Sequence, residues 1–326
     1  MREITFITHP QLLSHDTGPD HPEGPQRLIA IRERLKKGLL AGHLKEIWPQ
    51  KADWKWLQSG HDEAYLFRFE ESALSGRSYL HHPDNQICYD SYDAALLAAG
   101  SGITAVDLLE SGEAELAFCC VRPPGHHAER ALALGFCFLN NVVITARYWQ
   151  EAYQQRRVAI IDWDAHHGNG IQSAFFNDPS VLYISLHEHP LFSFPGSGYA
   201  EETGEASGEG TTINIPLPPA TGDSEVLEVL AGQVSSALAR FRPERLIVAA
   251  GFDGHSLDDM SGLDYSTGCF RQIGERTATW AAEYCGGKVV TFLEGGYQLE
   301  ALAAGVEAYL TGLACLPTLP GDGSNR

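Results

Sequence analysis

The sequence predicts an α/β domain whose strands form a central, mostly parallel sheet flanked by helices. Three observations predict it. Short runs rich in β-branched residues end repeatedly in glycine or polar residues. Stretches with helical periodicity separate them, and alternation of this kind implies parallel strands covered on both faces. The His, Asp and Tyr residues gather where the apolar runs stop, at the carboxyl edge where open α/β sheets place their functional groups.

In chain order, ITFITHP (4–10) reads as the first strand, and GPQRLIAIRERLKKGLL (24–40) carries apolar residues at helical spacing. SYDAALLAAGSGITAVDLLES (91–111) is a longer helix before the strand LAFCCVRPPG (116–125). NNVVITARYWQEAYQ (140–154) is helical and leads to VAIIDWDAH (158–166) and VLYISLHEH (181–189), both strands. The segment 190–210, rich in Gly, Ser and Glu, reads as a long loop at the same rim. A helix at 224–241, a strand at 246–255 (LIVAAGFDGH), a helix at 266–284 and a strand at 289–297 (VVTFLEGGY) follow. With no repeat or linker in between, 1–316 is expected to be one domain, and PTLPGDGSNR (317–326) a loose tail.

The 326 residues are 44% hydrophobic and 20% charged, enough for a sizeable core in a soluble protein. Lys and Arg number 23 against 42 Asp and Glu, a net charge of −19. Without clustered Lys and Arg, nucleic acid is excluded as a direct partner, and the field favours cationic partners such as lysine-rich peptides or amines. Seven cysteines without a CxxC pair read as reduced thiols. The N-terminal apolar run is too short for a signal peptide, and there is no unbroken apolar stretch of about 18 residues. A cytoplasmic protein without a membrane partner is expected, with homo-oligomerisation left open.

Buried strands rarely end in charged groups unless something compensates them. In IDWDAHHGNG, side chains two apart on a strand point the same way, so Asp164 and His166 can meet at one point, with Asp162 starting the row. Asp253, closing an equally apolar run, offers a third group. One imidazole and two carboxylates can hold a divalent cation and leave positions open for water and substrate. In RPPGHH, His126 or His127 can serve as general base if a carboxylate orients it, and Asp162 can orient one of them. Two glycines before Tyr297 bring a phenol to the rim, where it can stabilise an oxyanion. His167 points to the other face and reads as packing, His187 and His189 as loop support, and His21 and His61 as structural hydrogen-bonding groups.

The ordered set HPEGPQRL (21–28), RPPGHHA (122–128), GFCFLNNVVI (135–144), IDWDAHHGNG (161–170), YISLH (183–187), GFDGH (251–255) and LEGGY (293–297) resembles the histone deacetylase superfamily over nearly the whole chain. Asn169 in HHGNG resembles the class II and bacterial histone deacetylase-like amidohydrolase branch. The resemblance implies an arginase/deacetylase-like fold with about eight strands, and Zn²⁺ held by Asp164, His166 and Asp253. It makes His126 and His127 the tandem pair, with His127 as base and Asp162 holding His126. Asn169, which cannot carry a charge, stands where other members place the partner of His127. Tyr297 polarises the amide carbonyl. Gly135, Phe136 and Phe194 wall an acyl-lysine channel, Met260 stands at its mouth and Asp84 at its rim. A structural K⁺ is implied on backbone oxygens of Asp162, Asp164 and His166, together with Ser185 and Leu186. A second monovalent-ion site, near Thr211, does not map.

The activity implied is removal of acetyl or related acyl groups from acyl-lysine or similar acylated amines by metal-activated water. An acetylpolyamine hydrolase is the alternative, which a neutral Met260 opposes and the neighbouring Asp258 and Asp259 keep open. An arginase-like site with two manganese ions needs further aspartates that this chain lacks. A non-catalytic binder of acylated ligands is opposed by retention of all the ligands and Tyr297. The donor set also suits Fe²⁺ or Co²⁺.

Overall fold

The apolar runs become the middle of one eight-stranded sheet in the computed structural model, which describes residues 1–315; the tail expected at 317–326 lies outside the described residues. The strands are β1 (Ile4–Ile7), β2 (Leu44–Ile47), β3 (Leu116–Cys119), β4 (Val158–Asp162), β5 (Val181–Glu188), β6 (Thr212–Leu217), β7 (Arg245–Ala250) and β8 (Val289–Leu293). Their order is β2-β1-β3-β8-β7-β4-β5-β6, and every neighbouring pair is parallel. The interior strands β3, β4 and β8 are buried at every position, as expected of strands covered by helices on both faces.

Ten α-helices complete the described part: α1 (Gln26–Lys37), α2 (Trp54–Gly60), α3 (Glu63–Leu74), α4 (Ser91–Ser111), α5 (Asn141–Tyr153), α6 (Asn169–Phe175), α7 (Asp223–Val229), α8 (Ser235–Phe241), α9 (Thr267–Tyr284) and α10 (Leu299–Ala314). Helix α9 packs along α10 and α10 against α1, while α4 packs on α5, which also takes α2. Side chains cap the exits from the site: Asn140 accepts from Val143 N at 3.1 Å to start α5, and Gln298 accepts from Ala301 N at 2.6 Å to start α10.

One expectation changes. The helix expected at 224–241 is broken into α7 and α8 by a π-helical turn, Leu230–Val234. Helix α4 is long and apolar enough by composition to cross a membrane, with mean hydropathy 1.3, yet 61% of that window is buried inside the molecule against β3, β8 and α5.

Candidate active site

Strand register decides what meets at the carboxyl edge. Asp162 at the end of β4 pairs with Ala249 of β7 and Ser185 of β5; Ala250 pairs with Leu293, and Phe292 with Cys119. The four central strands β3, β8, β7 and β4 therefore end level. Their exits deliver His126 and His127, Tyr297, Asp253, and Asp164 with His166 to one place. The chain jumps from β3 to β4 across β8 and β7, the kind of topological switch where α/β sheets bind ligands.

Strand alternation is not what brings Asp164 and His166 together, because β4 ends at Asp162. Local hydrogen bonds beyond the strand do so instead. Asp162 Oδ1 accepts from Asp164 N at 3.1 Å, and Asp164 Oδ1 accepts from His166 N at 2.9 Å. Asp253 Oδ1 accepts from Ala165 N at 3.0 Å, tying the β7 exit to the same turn. The result is the predicted trio. His166 Nδ1 lies 3.1 Å from Asp164 Oδ1 and 3.0 Å from Asp253 Oδ2, and one donor atom from each residue falls within 4.8 Å of the others, all three buried. Gly295 closes the cradle, since a Cβ there would stand 2.2 Å from Asp253 Oδ2 and 2.6 Å from Asp164 Oδ2. Its N–H donates to Asp164 Oδ2 at 2.7 Å. Two buried carboxylates this close are costly without a cation. Burial, then the charge of Asp164, pushes Asp253 up to about 6. One imidazole and two carboxylates in a cradle without room for a side chain fit a divalent cation.

The tandem histidines diverge in charge. Burial alone would depress His126, but Asp164 and Asp162 outweigh it and raise its imidazole to about 10. Its Nδ1 donates to Asp162 Oδ2 at 3.1 Å, and that carboxylate also accepts from Tyr183 Oη at 3.1 Å. Burial, followed by the charges of His126 and His166, holds His127 well below its ordinary 6.5. His127 Nδ1 lies 2.8 Å from Asn169 Oδ1. It is thus neutral, protonated on Nδ1 by its bond to the amide oxygen, with Nε2 left free to accept a proton.

A channel of about 220 Å³ leads down to these groups, lined by Asp84, His127, Gly135, Phe136, His166, Phe194, Met260 and Tyr297. All five predicted channel residues are present. The Phe194 ring meets His127 edge-on at 5.0 Å, and Phe136 meets Tyr297 at 6.0 Å. Gly135 has φ +55°, and a Cβ there would come within 2.4 Å of the His127 ring, so glycine is required beside the base. Burial, then the charge of Asp253, raises the Tyr297 phenol well above 10, which keeps its proton in place.

Several supports escaped the sequence reading. Asp258 turns inward, accepting from Tyr297 N at 2.6 Å, Gln298 N at 2.9 Å and, through Oδ1, Met260 N at 3.1 Å. Its carboxylate therefore fastens two loops together and does not face the mouth. Glu294 Oε2 accepts from Gly125 N at 2.7 Å and His126 N at 3.2 Å, setting the backbone of the histidine pair; burial pushes this carboxyl up to about 7. Arg27 reaches under Tyr297, donating to Gly296 O at 2.7 Å and lying 5.0 Å from the phenol ring centre. None of these contacts lies within a motif's own span. Glu294, inside LEGGY, was the one nearest to being found.

Of five further histidines near the site, His187, His189, His21 and His61 make structural hydrogen bonds as expected, and His167, expected to pack, makes them too. His187 bonds Ser185 Oγ at 2.7 Å and Gly198 O at 2.8 Å, His167 bonds Ser197 Oγ at 2.9 Å, and His189 Nδ1 accepts from Leu191 N at 3.2 Å. His61 Nε2 accepts from Asn140 N at 2.8 Å, and His21 Nε2 donates to Asp84 O at 2.9 Å. Asp162, Asp164 and His166, at and just beyond the end of β4, and Ser185 and Leu186, within β5, are all buried.

Compared with known proteins, the chain matches the Histone deacetylase domain over residues 21–313. The chain belongs to the histone deacetylase family. A probable deacetylase of Archaeoglobus fulgidus is 38% identical over 297 residues, 90% of this chain and 81% of its own. Histone deacetylase 10, chloroplastic, of Oryza sativa subsp. japonica is 37% identical over 88% of this chain and 68% of its own length. The crystal structure of the HDA15 HD domain superposes with a TM-score of 0.89 at 32% identity, covering 96% of this chain and 90% of that one. The eight-stranded parallel sheet is thus the fold of this family, and the chain is a hydrolytic deacetylase acting on an amide C–N bond.

Proposed function

We propose that this deacetylase is a zinc-dependent amidohydrolase that removes acetyl or related acyl groups from acyl-lysine side chains, with Asp164, His166 and Asp253 holding the ion. The observation that carries the reading is the buried trio at the floor of an apolar channel, beside a neutral His127 whose Nε2 is free. When bound, zinc supplies Lewis-acid polarisation of a carbonyl and a lowered pKa for water.

The chain's own groups do the rest. His127 Nε2 takes the proton of the attacking water as its oxygen bonds to the acyl carbon. The Tyr297 hydroxyl donates to the carbonyl oxygen as negative charge builds there. When the C–N bond breaks, the imidazolium of His127 returns the proton to the departing amine. His126, held by Asp162, stays cationic and supplies fixed positive charge beside the reaction. Phe136, Phe194 and Met260 hold the lysine methylenes and exclude water, and Asp84 at the exposed rim accepts N–H groups of a peptide backbone. Backbone oxygens of Asp162, Asp164 and His166, together with Ser185 and Leu186, would hold a potassium ion.

Acyl-lysine is preferred over acetylpolyamine because Asp84 is the one carboxylate among the lining residues and Asp258 is turned away. Seven free thiols, five of them buried, support a reducing and hence cytoplasmic setting, and the −19 charge supports cationic protein partners over nucleic acid. The test is turnover of acetyl-lysine and trifluoroacetyl-lysine fluorogenic peptides against an acetylated polyamine, with and without chelator. Peptide turnover that chelation abolishes and zinc restores is expected. Faster turnover of the polyamine overturns the substrate assignment, and no turnover of any acyl amide by the zinc-loaded protein favours a binder.

A further inference from the structure

Asn169 cannot carry a charge, yet a carboxylate stands one contact further out. Asn169 Oδ1 faces His127 Nδ1 at 2.8 Å, while its Nδ2 donates to Glu129 Oε1 at 2.7 Å and to His127 O at 3.3 Å. Those two acceptors fix the orientation of the amide: the nitrogen must face them, so the oxygen must face the imidazole N–H. Glu129 follows His127 by two residues and is held by a bridge to Leu132, its N–H donating to Leu132 O at 2.9 Å. It borders a surface recess of about 440 Å³ that shares no lining residue with the acyl channel. Solvent on that side spares the carboxylate full desolvation while its other face grips the amide.

Resting on the reading of His127 as general base, we propose that Glu129 is a positioning residue that acts on His127 through the amide of Asn169. A carboxylate accepting from Nδ2 draws electron density toward Oδ1 and makes it a stronger acceptor for the imidazole N–H, as hydrogen bonds in series polarise one another. The effect grows when His127 becomes positive during the reaction. A neutral amide thereby passes on the charge that an aspartate in its place would supply directly. It also holds the ring in the tautomer that leaves Nε2 free.

The arrangement makes the two positions interdependent in sign. Glu129→Gln keeps the shape and can still accept from Asn169 Nδ2, but it removes the charge; kcat on an acetyl-lysine peptide should fall about tenfold with KM unchanged. Asn169→Asp would set two carboxylates at the present 2.7 Å contact. In that background Glu129→Gln should raise kcat. If Glu129 serves only to hold the loop, Glu129→Gln lowers turnover in both backgrounds and the proposal fails. Glu129→Asp, which keeps the charge at a shorter reach, should fall between wild type and Glu129→Gln.

A second readout does not depend on turnover. In the zinc-loaded full chain with ¹⁵N-labelled histidine, the downfield Nδ1 proton of His127, assigned by its loss in His127→Gln, should move upfield in Glu129→Gln. An unchanged resonance overturns the relay whether or not the protein hydrolyses acyl-lysine. Absence of wild-type turnover on every acyl amide, by contrast, counts against the proposed function and leaves the imidazole shift to decide the relay.

Discussion

Two buried ionic clusters sit at the carboxyl edge of the sheet, and they are filled differently. Beside β1 and β3, Glu23 takes Arg122 at 2.9 and 2.8 Å and Arg27 at 3.2 Å, and the guanidinium groups spend their other N–H bonds on the carbonyls of Leu12, His15, Glu294 and Gly296. Burial alone would raise Glu23, but Arg122 and Arg27 outweigh it and hold the carboxyl at about 2. Beside β4 and β7, Asp162, Asp164 and Asp253 share His126 and His166, and Asp253 is forced up to about 6. The first cluster carries its own countercharge and braces the loop under Tyr297. The second is short of positive charge, and that shortage marks a place for an ion.

The largest effect comes from weakening the second cluster. Asp253→Asn should reduce turnover by roughly a thousandfold or more and lower bound zinc far below one per chain by elemental analysis. The metal-free variant should melt above the metal-free wild type, because the carboxylate repulsion is gone. A lower melting point would place Asp253 with the bracing group instead.

Breaking the first cluster should do the reverse. Glu23→Gln strands two buried guanidinium groups and is expected to cost about 3–5 kcal/mol of stability by denaturant titration, with zinc per folded molecule unchanged. The acid limb of stability sharpens the point. Folding lowers Glu23 from 4.5 to about 2, so its contribution is complete above 4.5 and drains away as pH falls toward 2. The gap between wild type and Glu23→Gln should therefore narrow across that window. Burial, aided by Arg122, depresses His15 from 6.5 to about 3 although Glu23, 3.7 Å away, pulls the other way, so His15 loses stability in the same direction, and more so once Glu23→Gln removes that charge.

Smaller effects separate the wall of the site from its floor. Tyr297→Phe should lower kcat about a hundredfold while zinc content and melting temperature hold, since it removes an oxyanion donor and nothing the cation needs. Gly135→Ala, whose methyl meets the His127 ring, should lower kcat/KM roughly tenfold with zinc still bound. Full activity in that variant would mean that the loop moves freely and that the base is not braced by it.

The floor of the site was legible from the sequence because its residues close apolar strands in short motifs: Asp162, Asp164 and His166 follow Ile161, and Asp253 follows Phe252 at the end of another such run. The edge strands were not. LKEI of β2 is half-exposed and lacks a clean alternation, and β6 carries Pro216, which sheet edges tolerate. Helices α2, α3, α6 and α10 were missed, and with α2 and α3 the second apolar cluster around Phe69 and Phe138. Asp258, Arg27 and Glu129 could not be found by spacing, since each acts on backbone or side chains that only the assembled loops bring near. Even the trio came together for another reason than the one read from the sequence, through hydrogen bonds in the turn after β4.

Anomalous diffraction at the zinc edge from crystals of the zinc-loaded protein tests the central claim directly. A single peak bounded by an Asp164 oxygen, His166 Nδ1 and an Asp253 oxygen, with a coordination position left toward the channel, is the result predicted. A peak instead at the neighbouring group of His126, Cys137 and Glu294, whose donor atoms also lie within 4.8 Å of one another, or two peaks in the cradle, would contradict it.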